Sequence, residues 1–176
     1  GGRVRLALLP GVKGDATFSA DGRYRQLMRR WTGDTFPQRY MLFIGMNPST
    51  ADASVNDPTC AREWTFAQRE GFSAMVKANV GDYRATDPKM LLLPGVAAVS
   101  PANLPAIRAA AAGADRVVLC HGKLNKALAP AGRALVGALR ADGIALWCFG
   151  TNADGSPKHP LYLRADTPLQ PFPDNR

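Results

Sequence analysis

Metal ligands are scarce in this sequence: its 176 residues include only two histidines and three cysteines. Cys60, Cys120 and Cys148 are odd in number, widely spaced and form no C-x-x-C pair, so a structural zinc or an iron–sulfur cluster would lack ligands. No metal and no redox cofactor are therefore expected. Each cysteine lies in or beside an apolar segment, where a reduced thiol packs as a small hydrophobe, and this points to a reducing compartment, the cytoplasm. Long apolar runs are also lacking. Apolar runs such as Leu91 to Leu93, Ala109 to Ala112 and Ile144 to Phe149 fall far short of the roughly 18 to 20 residues that span a bilayer, so no membrane association is expected. No metal-binding carboxylate cluster or glycine-rich phosphate loop occurs, which disfavours a phosphate-ester or nucleotide hydrolase. The chain opens on Gly1-Gly2 without a methionine, which reads as a trimmed or foreign terminus, not a signal peptide.

Apolar residues make up 46% of the chain, enough to bury one sizeable core at a length typical of a single domain. A net charge of +8 and a pI near 9.9 favour a polyanionic partner. A solvated basic surface without nucleic acid is the competing reading.

Residues 1–38 read as an N-terminal β-hairpin lead-in and residues 39–176 as the main α/β part of the same domain. In the lead-in, Arg3 to Leu9 alternates, Ala16 to Ser19 is β-prone, and Arg23 to Trp31 follows the turn signal Ala20-Asp21-Gly22. As a strand, that last segment would set Arg23, Arg25 and Arg29 on one face with Trp31. Such a face suits a phosphate backbone, or equally an edge strand guarded by charge. Arg39 to Gly45 is continuously apolar, as in a central parallel strand covered on both faces. Asp57-Pro58 then opens a helix over Thr59 to Glu70, stopped by Gly71. Further strands are predicted at Ser73 to Val80, Arg116 to Cys120 and Ile144 to Phe149. Helices are predicted at Ser100 to Ala112 and at Leu124 to Ala141, the latter kinked or restarted at Pro130. The proline-rich tail reads as irregular surface chain. The expected fold is a three-layer α/β/α sandwich around a four-stranded, mainly parallel sheet.

Right-handed crossovers gather the strand ends on one edge, where ligands of such sheets bind. Four polar clusters should meet there: Asn47 to Asp52, Asn79 to Arg84, His121-Gly122-Lys123, and Lys158 to Tyr162.

Met46-Asn47-Pro48-Ser49-Thr50-Ala51-Asp52, Asn56-Asp57-Pro58-Thr59, Tyr83-Arg84-Ala85-Thr86-Asp87-Pro88 and His159-Pro160-Leu161-Tyr162-Leu163 resemble the domain-of-unknown-function family 1643 over nearly the whole chain. More distantly, the order of motifs resembles the uracil-DNA glycosylase superfamily. Gly45-Met46-Asn47-Pro48 is similar to its first motif, which holds the catalytic water. Asn79 is similar to the asparagine that bonds the base edge, and His159-Pro160 to the last motif, whose histidine stabilises the departing base. That resemblance implies the glycosylase fold and a nucleobase in DNA as the ligand. Asn47 and His159 would then be catalytic, while Gly45, Met46, Pro48, Ser49, Asn79, Tyr83 and Pro160 would bind the base. Arg23, Arg25, Arg84, Lys123 and Lys158 would meet the nucleic-acid backbone.

The residue types suit that chemistry. Cleaving an N-glycosidic bond needs an extruded base, bonds to its Watson–Crick edge, an oriented water and stabilisation of negative charge on the leaving base. Asn79 offers both a donor and an acceptor, and neutral His159 can donate to an oxyanion. Trp64, Phe66, Phe72 and Tyr83 are the aromatic stacking candidates, with core packing the expected task of Phe66 and Phe72. The more active branches of the superfamily carry an acid where Asn47 stands, and an amide positions water without taking its proton. Asp52 or Asp82 would have to supply a missing carboxylate. Leu161 replaces the serine that usually follows His-Pro, and Leu161 or Tyr162 would act as a wedge. Two functions remain open: a metal-free DNA N-glycosylase, or a module that binds a nucleobase, nucleotide or modified DNA without cleaving it.

Overall fold

The computed structural model describes residues 6–174. Arg3 to Arg5 of the alternating first segment lie outside the described residues. The central strand forms where the sequence is most continuously apolar: β4 is Met41–Gly45, and all five residues are buried. Its neighbours are β6 (Ala74–Asn79) and β7 (Arg116–Leu119), and both run parallel to it. With β8 (Leu146–Cys148) they make four adjacent parallel strands.

The sheet does not stop at the four strands expected; it has seven and is mixed. The hairpin strands β2 (Val12–Phe18) and β3 (Arg25–Thr32) add antiparallel to β6 on one edge. On the other edge the tail, predicted to be irregular, supplies β9 (Gln170–Pro171), antiparallel to β8. The final order is β2-β3-β6-β4-β7-β8-β9. Proline is tolerated in β9 because an edge strand leaves one row of backbone groups unpaired. A separate two-stranded pair joins β1 (Leu6–Ala7) to β5 (Val55–Asn56).

Side chains alternate along β4 and so feed two cores. Leu42 and Ile44 pack on the face that carries α2 (Asn103–Gly113) and α3 (Ala129–Ala141), while Met41 and Phe43 pack on the face that carries α1 (Pro58–Arg69). Burying each of these four side chains contributes about 1.5–3 kcal/mol. Trp64, Phe66 and Phe72 belong to the second core, at 3%, 1% and 8% exposure, so none is available as a stacking platform. No helix among the described residues is long and apolar enough to cross a membrane.

Helix α1 starts as its sequence dictates. The Asp57 carboxylate accepts the Cys60 N–H at 2.7 Å, Pro58 occupies the first turn, and Gly71 follows the end at φ +82°. Helix α3 begins five residues later than predicted. Asn125 turns the chain first, its side chain accepting the Ala127 N–H at 3.0 Å, and Pro130 then sits in the opening turn.

In the hairpin, a bulge between Thr17 and Phe18 overturns the expected basic face. Thr17 faces Leu27 while Phe18 faces Arg25, so Gln26 is the extra residue. One extra residue breaks the period of two and moves Arg25 to the other side of β3. There Arg25 donates to Ala51 O at 2.6 Å, while Arg30 donates to Asp52 O at 2.5 Å and Val55 O at 3.0 Å. Both arginines are 1% exposed. Arg29 stays on the opposite face, paired with Asp15 at 2.6 Å and stacked over Phe36 at 4.3 Å. Arg23 is left exposed in the turn. Gly14 makes this packing fit, since a Cβ there would stand 2.3 Å from Arg30 Nη1.

Candidate functional site

Strands β4 and β6 end level, with Gly45 opposite Asn79, and the ladder runs on through Val80 N–H to Gly45 O and Gly81 N–H to Met46 O. Beyond these ends opens a cleft of about 170 Å³. Asn47, Asn79 and His159 all line it, together with Gly45, Met46, Pro48 and Ser49. Three segments far apart in sequence are thus brought to one cavity at the carboxyl edge of the parallel strands.

Asn79 is 1% exposed and its Nδ2 is buried without an acceptor. Asn47 directs its Nδ2 to Ala85 O at 2.8 Å and Pro48 O at 3.1 Å, tying its own loop to the 84–88 segment. Only its Oδ1 is left to accept. The Leu161 N–H donates to His159 Nδ1 at 3.3 Å, so the neutral ring carries its proton on Nε2. Burial, reinforced by the nearby Lys77 charge and opposed by Asp57, holds His159 below the ordinary histidine pKa. It is a neutral donor.

Sequence reasoning missed the floor of this cleft. Lys77 lines it and pairs with Glu63 at 2.6 Å, the two side chains being 5% and 0% exposed. Cys120 Sγ donates to the same carboxylate oxygen at 3.3 Å, and Glu63 Oε1 has no partner. Burial alone would strip the proton from Lys77, but the Glu63 carboxylate outweighs it and holds the ammonium charged. Gly45 makes room for the pair: a Cβ there would lie 2.5 Å from Lys77 Nζ and 2.9 Å from Asn79 Oδ1. The signal was present in the sequence. Lys77 interrupts an otherwise apolar strand, and Glu63 interrupts the apolar stripe of Cys60, Trp64 and Ala67 on α1.

Asp57 is the single carboxylate among the described residues lining the cleft, and sequence reasoning gave it only a capping role. One of its oxygens holds the Cys60 N–H; the other accepts from no group among the described residues. Neither acid proposed from sequence serves here. Asp52 turns its own loop by accepting the Ser54 and Val55 N–H groups, and buried Asp82 is engaged by Gln26 and Ser100. Arg25 also lines the cleft, so it is not part of an exposed backbone-binding face.

Other expected site residues lie elsewhere. Pro160 is buried behind His159 in a short 3-10 turn. Tyr83 packs edge-on against Tyr24 with ring centroids 5.4 Å apart, outside the cleft lining. Arg23 and Arg84 flank an adjoining shallow hollow of about 340 Å³ that shares Ser49 with the cleft. Lys158 is exposed beside Gly150 and does not line the cleft. Lys123 and His121 open into a separate groove of about 610 Å³ along α3. Among the described residues, no three His, Cys, Asp or Glu side chains are gathered as a metal ion would require.

A family model described as a protein of unknown function, DUF1643, matches residues 23–161, which include every residue lining the cleft. The chain belongs to this family. No curated protein and no solved structure matches it. The DUF1643 span starts in the hairpin turn and ends just after His159-Pro160, leaving out β1, β2 and β9. Within it the cleft offers donors from Asn79 and His159, acceptors from Asn47 and Asp57, and two buried cations, Arg25 and Lys77.

Proposed function

We propose that this DUF1643 chain recognises a nucleobase extruded from DNA and hydrolyses its N-glycosidic bond. The observation that carries the reading is the convergence of Asn47, Asn79 and His159 on one cleft of single-ring size. The motif order similar to uracil-DNA glycosylases and the net charge of +8 support it. In this scheme the Asn79 amide bonds the base edge, and Asn47 Oδ1 with the second Asp57 oxygen orients a water. The water oxygen bonds to the sugar carbon and its proton passes to Asp57, while the carbon–nitrogen bond breaks and its electron pair leaves with the base. His159 Nε2–H, Lys77 and Arg25 stabilise that anion, the kind of fixed electrostatic contribution that is usually the largest in catalysis. A proton then returns to the base and Asp57 is again a carboxylate.

A second reading, a binding module without catalysis, is favoured by one observation: the Asn47 amide nitrogen is engaged by Ala85 and Pro48 carbonyls. One assay separates the two. Oligonucleotides carrying uracil, hypoxanthine, mismatched thymine or alkylated bases are incubated with the protein, and abasic sites are cleaved with alkali. The enzyme reading expects strand breaks that disappear in Asn47→Ala and His159→Ala. Binding of a base analogue with no breaks on any substrate replaces it with the module. Neither binding nor breaks removes both.

A further inference from the structure

Arg25 carries more donor capacity than the protein uses. Its guanidinium is 1% exposed and lines the cleft, yet one N–H goes to Ala51 O and Nε is buried without an acceptor. No carboxylate stands within ion-pair distance of it among the described residues. Arg30, equally buried on the same face, is different. Its Nε is likewise without an acceptor, but both of its terminal nitrogens are engaged by carbonyls, and it lines another hollow. An arginine that only braced the 51–55 loop would look like Arg30.

Burying a charge without a counter-ion is costly, and the cleft does not supply one. Asp57 lies beyond ion-pair distance of Arg25, with one oxygen capping α1, while Glu63 is paired with Lys77 and His159 is neutral. The Nε–Nη2 edge is the one with which arginine grips an oxyanion through two parallel bonds, and no described residue provides an acceptor for it. We infer that the ligand of this cleft carries an oxyanion, a carboxylate or a phosphate, that docks on that edge of Arg25. The inference rests on the nucleobase reading for the ring beside the anion. Two sources supply the same chemistry: an acid substituent on the base ring, or the phosphate of the nucleotide that bears it.

Calorimetric titration of the full chain tests this with uracil, 6-carboxyuracil and uridine 5′-monophosphate, against wild type, Arg25→Gln and Arg25→Lys. The expected result is that one anionic probe binds about ten- to a hundredfold tighter than uracil, the worth of a charge-assisted hydrogen bond. Arg25→Gln abolishes that advantage, the ratio of anionic-probe to uracil affinity falling to about one, and Arg25→Lys restores part of it. A preference for 6-carboxyuracil assigns the oxyanion to the ring, and one for the monophosphate assigns it to the nucleotide. Equal affinity for neutral and anionic probes, or a preference that survives in Arg25→Gln, overturns the inference and leaves the nucleobase reading standing. Tight anion binding with uracil excluded and no strand breaks does the reverse. If Arg25→Gln does not fold, inorganic sulfate decides on wild type: displacement of the bound anionic probe supports the site, and no displacement overturns it.

Discussion

Replacing Lys77 with methionine removes one half of an ion pair that is 2.6 Å long and almost wholly buried. The Glu63 carboxylate is then left uncompensated, with only the weak Cys120 Sγ–H beside it. Breaking a buried pair in this way costs about 3–5 kcal/mol, which in a chain of this size lowers Tm by about 6–20 °C. The pair and a well-packed apolar substitute differ far less, so Lys77→Met with Glu63→Leu should recover most of the loss. The single variant should also acquire a characteristic pH dependence. Burial pushes the Glu63 carboxyl up, and without Lys77 only the weak Cys120 hydrogen bond opposes it. Below the unfolded glutamate pKa, about 4.3, both states are protonated and the protonated folded carboxyl incurs little penalty. Above it the unfolded chain ionises while the folded one does not. Stability therefore falls as pH rises, by about 1.4 kcal/mol per pH unit until the folded carboxyl ionises. Urea unfolding followed by tryptophan fluorescence at pH 5 and pH 8 measures this. A Lys77→Met variant within about 1 kcal/mol of wild type at pH 8 would refute the reasoning, as would a double variant no more stable than the single one.

Three more outcomes follow from geometry already described. Gly45→Ala drives a methyl group into Lys77 and Asn79, so thermal melts should show a loss of about 1–3 kcal/mol, with ligand binding reduced in parallel; unchanged melting and binding would place the clash elsewhere. Asn47→Ala frees the Ala85 and Pro48 carbonyls, costs about 1–3 kcal/mol, and should expose the 46–56 and 84–90 segments to limited proteolysis. Asp57→Ala loses the α1 cap at a cost of about 0.5–2 kcal/mol, whereas Asp57→Asn keeps the cap and wild-type stability while lowering base excision by about a hundredfold or more. Equal excision by wild type and Asp57→Asn would remove Asp57 from the reaction.

How much of this could be read from sequence depended on the range of the signal. Met41–Gly45 was readable as a central strand because an apolar run needs neighbours on both sides. The Asp57-Pro58 start and Gly71 stop of α1 act within one turn and were equally readable. Arg25 was not, because its side of the sheet depends on a bulge set by the partner strand. Gln170–Pro171 was hidden because proline opposes strand propensity, and only pairing with β8 overrides it. Asn47, Asn79 and His159 could be placed at strand ends by alternating element order. Lys77 and Glu63 were missed because each reads alone as a polar interruption, and only the fold sets them face to face.

The carbonyls of Leu163, Ala165 and Thr167 are held by Arg62 and Arg69 on α1, the helix whose first turn walls the cleft with Asp57 and Cys60. The chain therefore has to return about a hundred residues before its binding site exists, and the closing segment brings His159 with it. The contacts that complete the site are therefore among the long-range ones whose loop-closure entropy folding has to meet. Linkage makes the effect mutual: whatever occupies the cleft also fastens the tail, so a nick between β8 and His159 should be most damaging when the cleft is empty.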